Sequence, residues 1–380
     1  MTTIAMLSVS AGAGHVRAAQ ALAAAAERLH TKVTAVHIDV MEFVPKLFRT
    51  VYADSYLKMV DVAPTLWGFL YKEMDVPRAS SLVTKVRQAV ERLNTGKLIR
   101  RLRELEPDHV ICTHFLPAQL LSRLIRRKQW DTPVWVQVTD YDVHGMWIHD
   151  HLSGYFAADP EIAWRMKDRG LSEDRIHVTG IPIHPVFAER RDRATCAEEL
   201  GLDPRKITLL MMSGGYGVGA IDELAERLLA IPGDTQIVAL AGRNAKLLER
   251  LKTLAGTHKR RLFPLGFTTT IERVMACADL AITKPGGLTT AECLAVGLPL
   301  VAISPIPGQE ERNADFLMEN GAALKAYDAA GLDYRVRQLL AHPQRLAAMR
   351  ANAKRIGRPD AAADVLRITL GVAARAERGA

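Results

Sequence analysis

Short β-branched and apolar runs alternate with helix-patterned stretches along the whole chain, and this alternation restricts the fold more than any other feature. The runs fall at 4–9, 33–40, 109–113, 134–139 and 155–158, then at 207–212, 235–241, 261–265, 280–283 and 300–303. Between them lie windows such as 16–29, where Val16, Ala19, Ala23, Ala26 and Leu29 recur at helical spacing. Strand followed by helix, repeated, builds a parallel sheet covered by helices. A chain of 380 residues exceeds one ordinary core. Two Rossmann-like α/β domains are therefore expected, at 1–180 and 181–380, with a last helix free to cross back to the first. Gly180, Pro182, His184 and Pro185 mark the connector. Ligands of such sheets collect at the carboxyl ends of strands, which is where chemistry is to be sought.

Composition narrows the setting. The longest stretch without a charge, 293–309, is interrupted by Gly297, Pro299, Pro305 and Pro307, so no membrane-spanning helix is expected there. Residues 2–10 lack the basic start of a secretory leader. Cys112, Cys196, Cys277 and Cys293 stand far apart without a C-x-x-C, which argues against a zinc knuckle or a disulfide framework and for a reduced cytoplasmic setting. The net charge of +8 is locally concentrated. Lys85, Arg87, Arg92, Lys97, Arg100, Arg101 and Arg103 face only Glu91 within 85–103, and Arg123, Arg126, Arg127 and Lys128 follow. Solvation, an anionic lipid surface or nucleic acid would each account for such a cluster. Nucleic acid is the weakest of the three, because no motif for it is present.

Three loops carry candidate chemistry. The first, Ser10-Ala11-Gly12-Ala13-Gly14-His15, opens the first helix. Gly12 and Gly14 let a ligand approach the backbone, but the spacing is neither a dinucleotide fingerprint nor a phosphate-binding loop. His15 either caps its own helix or faces the crevice as a proton acceptor, kept neutral by the helix N-terminus. The second loop, 212–219, places Gly214, Gly215, Gly217 and Gly219 after a strand, beginning at Ser213. That density suits a backbone nest for phosphate oxygens. The third runs Thr283-Lys284-Pro285-Gly286-Gly287-Leu288-Thr289-Thr290-Ala291-Glu292, then Gly297-Leu298-Pro299 and Pro307-Gly308-Gln309-Glu310-Glu311-Arg312-Asn313. Gly286 and Gly287 present N–H groups at a helix start, and Thr289 and Thr290 add hydroxyls. Glu292 is the one charge in the apolar helix 288–296; a ribose diol or an interfacial arginine would satisfy it.

The whole set resembles the GT-B glycosyltransferases that include plant monogalactosyldiacylglycerol synthase and the bacterial processive diacylglycerol glucosyltransferases. More distantly it is similar to the enzyme that adds N-acetylglucosamine to lipid I. The likeness runs from His15 to about residue 325, and K-P-G-G-x-T-x-A-E with P-G-Q-E-x-x-N is its most specific part. It implies two Rossmann-like domains facing across a cleft and inverting transfer of glucose or galactose from UDP-glucose or UDP-galactose to diacylglycerol. His15 then falls on the catalytic base. Ser213, Gly214, Gly215, Gly286, Gly287, Thr289 and Thr290 fall on the diphosphate cradle, and Phe267 on the base-contacting position. Glu292 falls on the ribose ligand; Gln309, Glu310 and Asn313 fall on the donor-sugar side. Gly12, Gly14, His144 and Trp147 would bound the acceptor pocket. No cofactor is implied beyond the UDP-sugar co-substrate, and no metal ion is implied by the resemblance. One departure stands out. The plant enzymes carry Asp before the glycines where this chain has Ser10, so any partner of the base must come from elsewhere.

Segment 43–71 holds seven of the 22 aromatic residues. Phe43 and Leu47 recur at helical spacing beside Lys46 and Arg49, with Trp67 and Phe69 further on. This fits either an aromatic helix covering the sheet or a helix lying in an anionic membrane interface. The resemblance favours the second, and with it a peripheral location on the inner face of the cell membrane. A regulatory UDP-sugar-binding protein and a UDP-sugar epimerase on the same fold are the competing readings.

Overall fold

Every strand pairing is parallel, and the strands fall into two six-stranded sheets. A computed structural model describes residues 1–10, 12–29, 32–44, 96–212 and 221–371. The chain divides into two units, Met1–Pro185 with Pro307–Gln309 and Asp360–Ala380, and Val186–Ile306 with Glu310–Pro359. The first contains β1 (Thr2–Ser8), α1 (Ala13–Arg28), β2 (Val33–Asp39), α2 (Gly96–Leu105), β3 (His109–Cys112), α3 (Phe115–Arg126), β4 (Val134–Gln137), β5 (Gly154–Ala157), α4 (Pro160–Asp168) and β6 (Ile176–Val178). The second contains α5 (Arg193–Glu199), β7 (Ile207–Met212), α6 (Ile221–Leu229), β8 (Thr235–Leu240), α7 (Ala245–Thr257), β9 (Leu262–Leu265), α8 (Ile271–Cys277), β10 (Leu280–Thr283), α9 (Gly287–Ala295), β11 (Leu300–Ile303), α10 (Gln309–Glu319), β12 (Ala323–Ala326), α11 (Ala329–Ala341) and α12 (Pro343–Ile356). The last helix, α13 (Ala361–Thr369), belongs to the first unit and packs on α1.

Central strands such as β7 and β10 are apolar on both faces because helices cover both. In the first unit, Leu98, Leu102, Ala118 and Leu121 from α2 and α3 fill one face of the sheet. Leu22, Val365 and Leu366 from α1 and α13 close the other over Ile4 and Met6. Two strands escape the sequence pattern, β6 and β12. Both lie at a sheet edge, are only three and four residues long, and carry His177 and Lys325 in place of an apolar run. Edge strands are kept short and polar to discourage further pairing, so they lose the signal that marks central ones.

The order β2-β1-β3-β4-β5-β6 reverses direction between β1 and β3, and β12-β11-β10-β7-β8-β9 reverses between β7 and β10. A crevice opens outside the carboxyl ends of the strands at each reversal. The loop ending in His15 follows β1, and the Lys284–Gly287 turn follows β10, so each sits at such a point. Among the described residues no helix is long and apolar enough to cross a membrane.

One close approach fixes α9. A Cβ on Gly357, just past α12, would stand 2.3 Å from the Leu294 carbonyl oxygen and 2.7 Å from its carbon. Backbone cannot give way as a side chain can. Gly357→Ala should therefore destabilise the protein by about 1–3 kcal/mol, read as a lower denaturant midpoint with unchanged slope.

Candidate active site

His15 is the third residue of α1, whose N-cap is Gly12 in extended conformation with no side-chain cap bond. His15 Nδ1 lies 2.8 Å from the Thr113 carbonyl oxygen and 3.0 Å from Thr139 Oγ1. A carbonyl only accepts, so Nδ1 carries the proton and Nε2 keeps its lone pair. Thr113 follows β3 and also donates its hydroxyl to the His15 carbonyl at 2.9 Å. His15 is thus held across the β1–β3 reversal by one residue at two points, its ring at Nδ1 and its backbone at the carbonyl. His114 approaches edge to face at 4.5 Å between centroids, and Trp147 lies 6.1 Å away.

Burial, more than the helix N-terminus invoked from the sequence, keeps His15 neutral. Enclosure lowers its pKa to about 4, against a smaller upward pull from the Thr113 hydrogen bond. Among the described residues the partner of Nδ1, sought in place of the plant-type Asp, is the Thr113 backbone carbonyl rather than a carboxylate. Asp39, at the end of β2, braces the loop instead, accepting from Ser10 N–H at 3.1 Å and Met41 N–H at 3.0 Å. His144 and Trp147 are both buried. His144 Nδ1 accepts from Met146 N–H and starts the 3-10 turn Gly145–Trp147 that presents the indole. A Cβ on Gly12 would meet nothing within 4 Å, so that position opens to free space, and Gly14 lies one residue before His15 in α1. His114 was not among the expected residues. Its signal was its place just past a central strand, beside the reversal.

The second unit assembles a polar turn at its own reversal. Gly286 is the N-cap of α9 and supplies no side chain to cap it, which leaves first-turn N–H groups for other acceptors. Asn313, fully buried on α10, donates from Nδ2 to the Pro285 carbonyl at 3.0 Å and holds this turn in place. Glu310 Oε2 accepts from Ile306 N–H at 2.7 Å, and Glu310 Oε1 would lie 3.6 Å from a Cβ on Gly286. Glu310 and the start of α9 are therefore neighbours, while Gln309 opens α10 half-buried. Gly287, Thr290 and Glu292 are buried along α9, with Thr289 half-buried. Thr290 Oγ1 has no hydrogen-bond partner among the described residues. Phe267, beyond β9, is 54 % exposed, and the Arg243 guanidinium lies over its ring at 4.6 Å. Arg243, in Gly242-Arg243-Asn244 shortly after β8, was not among the expected residues. Ser213, Gly214 and Gly215 lie outside the described residues, as do Leu47, Trp67 and Phe69. Phe43 ends the 3-10 turn Val40–Phe43 and packs half-buried on the first core.

A family model for monogalactosyldiacylglycerol synthase matches residues 15–183, and one for the C-terminal domain of glycosyltransferase family 28 matches 216–365. The processive diacylglycerol beta-glucosyltransferase of Bacillus licheniformis is 30% identical over 353 residues, covering 92% of this chain and 90% of that protein. The chain belongs to the diacylglycerol glycosyltransferase family. Among solved structures, MurG of Acinetobacter baumannii has a TM-score of 0.61 at 17% identity, covering 97% of this chain and 99% of its own. The UDP-GlcNAc 2-epimerase of Neisseria meningitidis bound to UDP-GlcNAc has a TM-score of 0.60 at 12% identity, covering 98% and 100%. The GT-B-like α/β fold of this glycosyltransferase is thus shared with an epimerase, and it is the sequence relationship that makes the chain a transferase.

Because folded His15 resists protonation, its contribution to stability is complete above about 6.5 and fades as pH falls toward about 4. In this transferase, nitrogen-15 spectra should show His15 as the Nδ1–H tautomer, without a titration midpoint in the ordinary histidine range. A midpoint near 6.5 would place the ring in solvent.

Proposed function

We propose that this protein transfers a hexosyl group from a UDP-sugar to the hydroxyl of diacylglycerol, with inversion and without a metal ion, at the inner surface of the membrane. The observation that carries the reading is the fixed tautomer of His15, a neutral imidazole with Nε2 available as base. The acceptor oxygen attacks the anomeric carbon and its proton passes to Nε2. The bond from that carbon to the diphosphate oxygen breaks, and UDP leaves. One displacement with one base inverts the centre. Charge develops on the departing diphosphate, and the uncapped N-terminus of α9, with the Thr289 and Thr290 hydroxyls, is suited to receive it. Glu292 would take the ribose, Gln309 and Glu310 the sugar hydroxyls, and Phe267 the base. On this reading Asn313 acts through the Pro285 carbonyl that it holds.

Glucose is favoured because the Bacillus licheniformis relative is a beta-glucosyltransferase. The membrane site rests on the lipid acceptor and on the composition of 43–71. Incubating purified protein with diacylglycerol vesicles and either UDP-glucose or UDP-galactose, with EDTA present, tests the whole reading. The expected result is a β-linked hexosyl-diacylglycerol from one donor. Release of UDP without glycolipid, or loss of turnover on chelation, would count against it.

His15→Ala should lower turnover ~10²–10⁴-fold and leave UDP affinity nearly unchanged. Glu292→Ala should behave in the opposite way, weakening UDP binding by about 1.5–3 kcal/mol in calorimetry as two hydroxyls lose a charged acceptor.

A further inference from the structure

His114 has no place in the reaction as written, yet it is the ring that lies nearest His15. It is 3 % exposed, follows Thr113 directly, and meets His15 at 4.5 Å with the two planes 81° apart. Its Nδ1 accepts from the Leu116 N–H at 3.1 Å, capping α3. A nitrogen that accepts from an amide carries no proton, so neutral His114 is the Nε2–H tautomer, the opposite of His15. The cap fixes the ring at the first turn of α3, while Phe115 at 4.1 Å and Trp147 at 6.3 Å confine it further.

We propose that His114 is a positioning residue for the base: anchored through its α3 cap, its ring forms the wall that excludes water from His15 and keeps it a neutral proton acceptor. The proposal rests on His15 acting as that base. Among the described residues, the groups with a hydrogen bond or ring contact to the His15 ring are Thr113 and His114 from the β3–α3 junction, Thr139 from the loop after β4, and Trp147 from the following 3-10 turn. Of these only His114 titrates, and no charged side chain contributes to the lowering of the His15 pKa. Burial is the dominant cause, and among the described residues the His114 ring is the nearest aromatic face packed on His15. His114 is itself held well below the ordinary histidine range by burial and by the proximity of His15, so the pair does not carry two protons. A histidine suits the position because one side chain must be both a cap acceptor and an aromatic wall. Phenylalanine offers the wall alone, and asparagine the cap alone.

Those two substitutions separate the roles. His114→Asn keeps a cap acceptor and removes the ring, so water reaches His15 and its pKa rises toward 6.5. At pH 6 roughly three quarters of the His15 rings would then be protonated. The kcat of the variant at pH 6 should fall to about a quarter of its value at pH 8, with KM for the UDP-sugar unchanged. The parent protein should change little over that range. His114→Phe should retain the parent pH profile while lowering thermal stability through the lost cap. Nitrogen-15 titration of His15 in both variants reads the same shift without turnover. An Asn variant whose pH profile and His15 titration match the parent, with UDP binding intact, would overturn the proposal and leave His114 a helix cap. If His15→Ala keeps full turnover, the base reading itself fails, and that result is independent of either His114 variant.

Discussion

The hydrogen bond from His15 Nδ1 to the Thr113 carbonyl ties α1 to the end of β3, and the chemistry proposed for the first unit depends on it. A backbone carbonyl carries no charge with which to stabilise an imidazolium. It sets the tautomer all the same, since it can only accept. Enclosure does the rest, holding the ring neutral with a pKa of about 4. A base of such low proton affinity is not exhausted by protonation at any ordinary pH. It must, however, pass its proton on readily once the acceptor oxygen has attacked.

In the second unit rigidity comes from packing against a helix rather than from one polar bond. α9 is held from outside by Gly357, whose missing side chain lets the chain after α12 approach the Leu294 carbonyl. Its N-terminal turn is held by Asn313 on the Pro285 carbonyl, and the Glu310 carboxylate is anchored to the Ile306 amide beside it. Preorganisation of this kind matters for a leaving diphosphate, because donors already in place need not reorganise as charge develops. Asn313 lies within the motif most specific to the family, and its Nδ2 donates to protein backbone. Part of that motif builds the turn that the other residues use.

The central strands, the two parallel sheets and the loops after β1 and β10 were legible in the sequence, because central parallel strands are apolar runs and crossover helices carry a 3.6-residue period. The edge strands β6 and β12 were not, since a half-exposed strand of three or four residues has no such run. His15 was legible as a candidate from its place after a glycine loop. The cause of its neutrality was not, because enclosure by Thr113, His114, Thr139 and Trp147 comes from segments about a hundred residues away in the chain. Arg243 and His114 were missed for the same reason: each follows a strand end whose neighbours are set by sheet order.

Sequence alone determined the fold class, the family and the loops in which chemistry is carried, since those follow from local periodicity and from motifs of contiguous residues. Tertiary structure decided which nitrogen of His15 bears a proton, what holds the Lys284–Gly287 turn, and which ring packs on His15. Strand order in a parallel sheet is not sequence order, so the reversal between β1 and β3 brings Thr113 and His114 against His15 only once the sheet has formed.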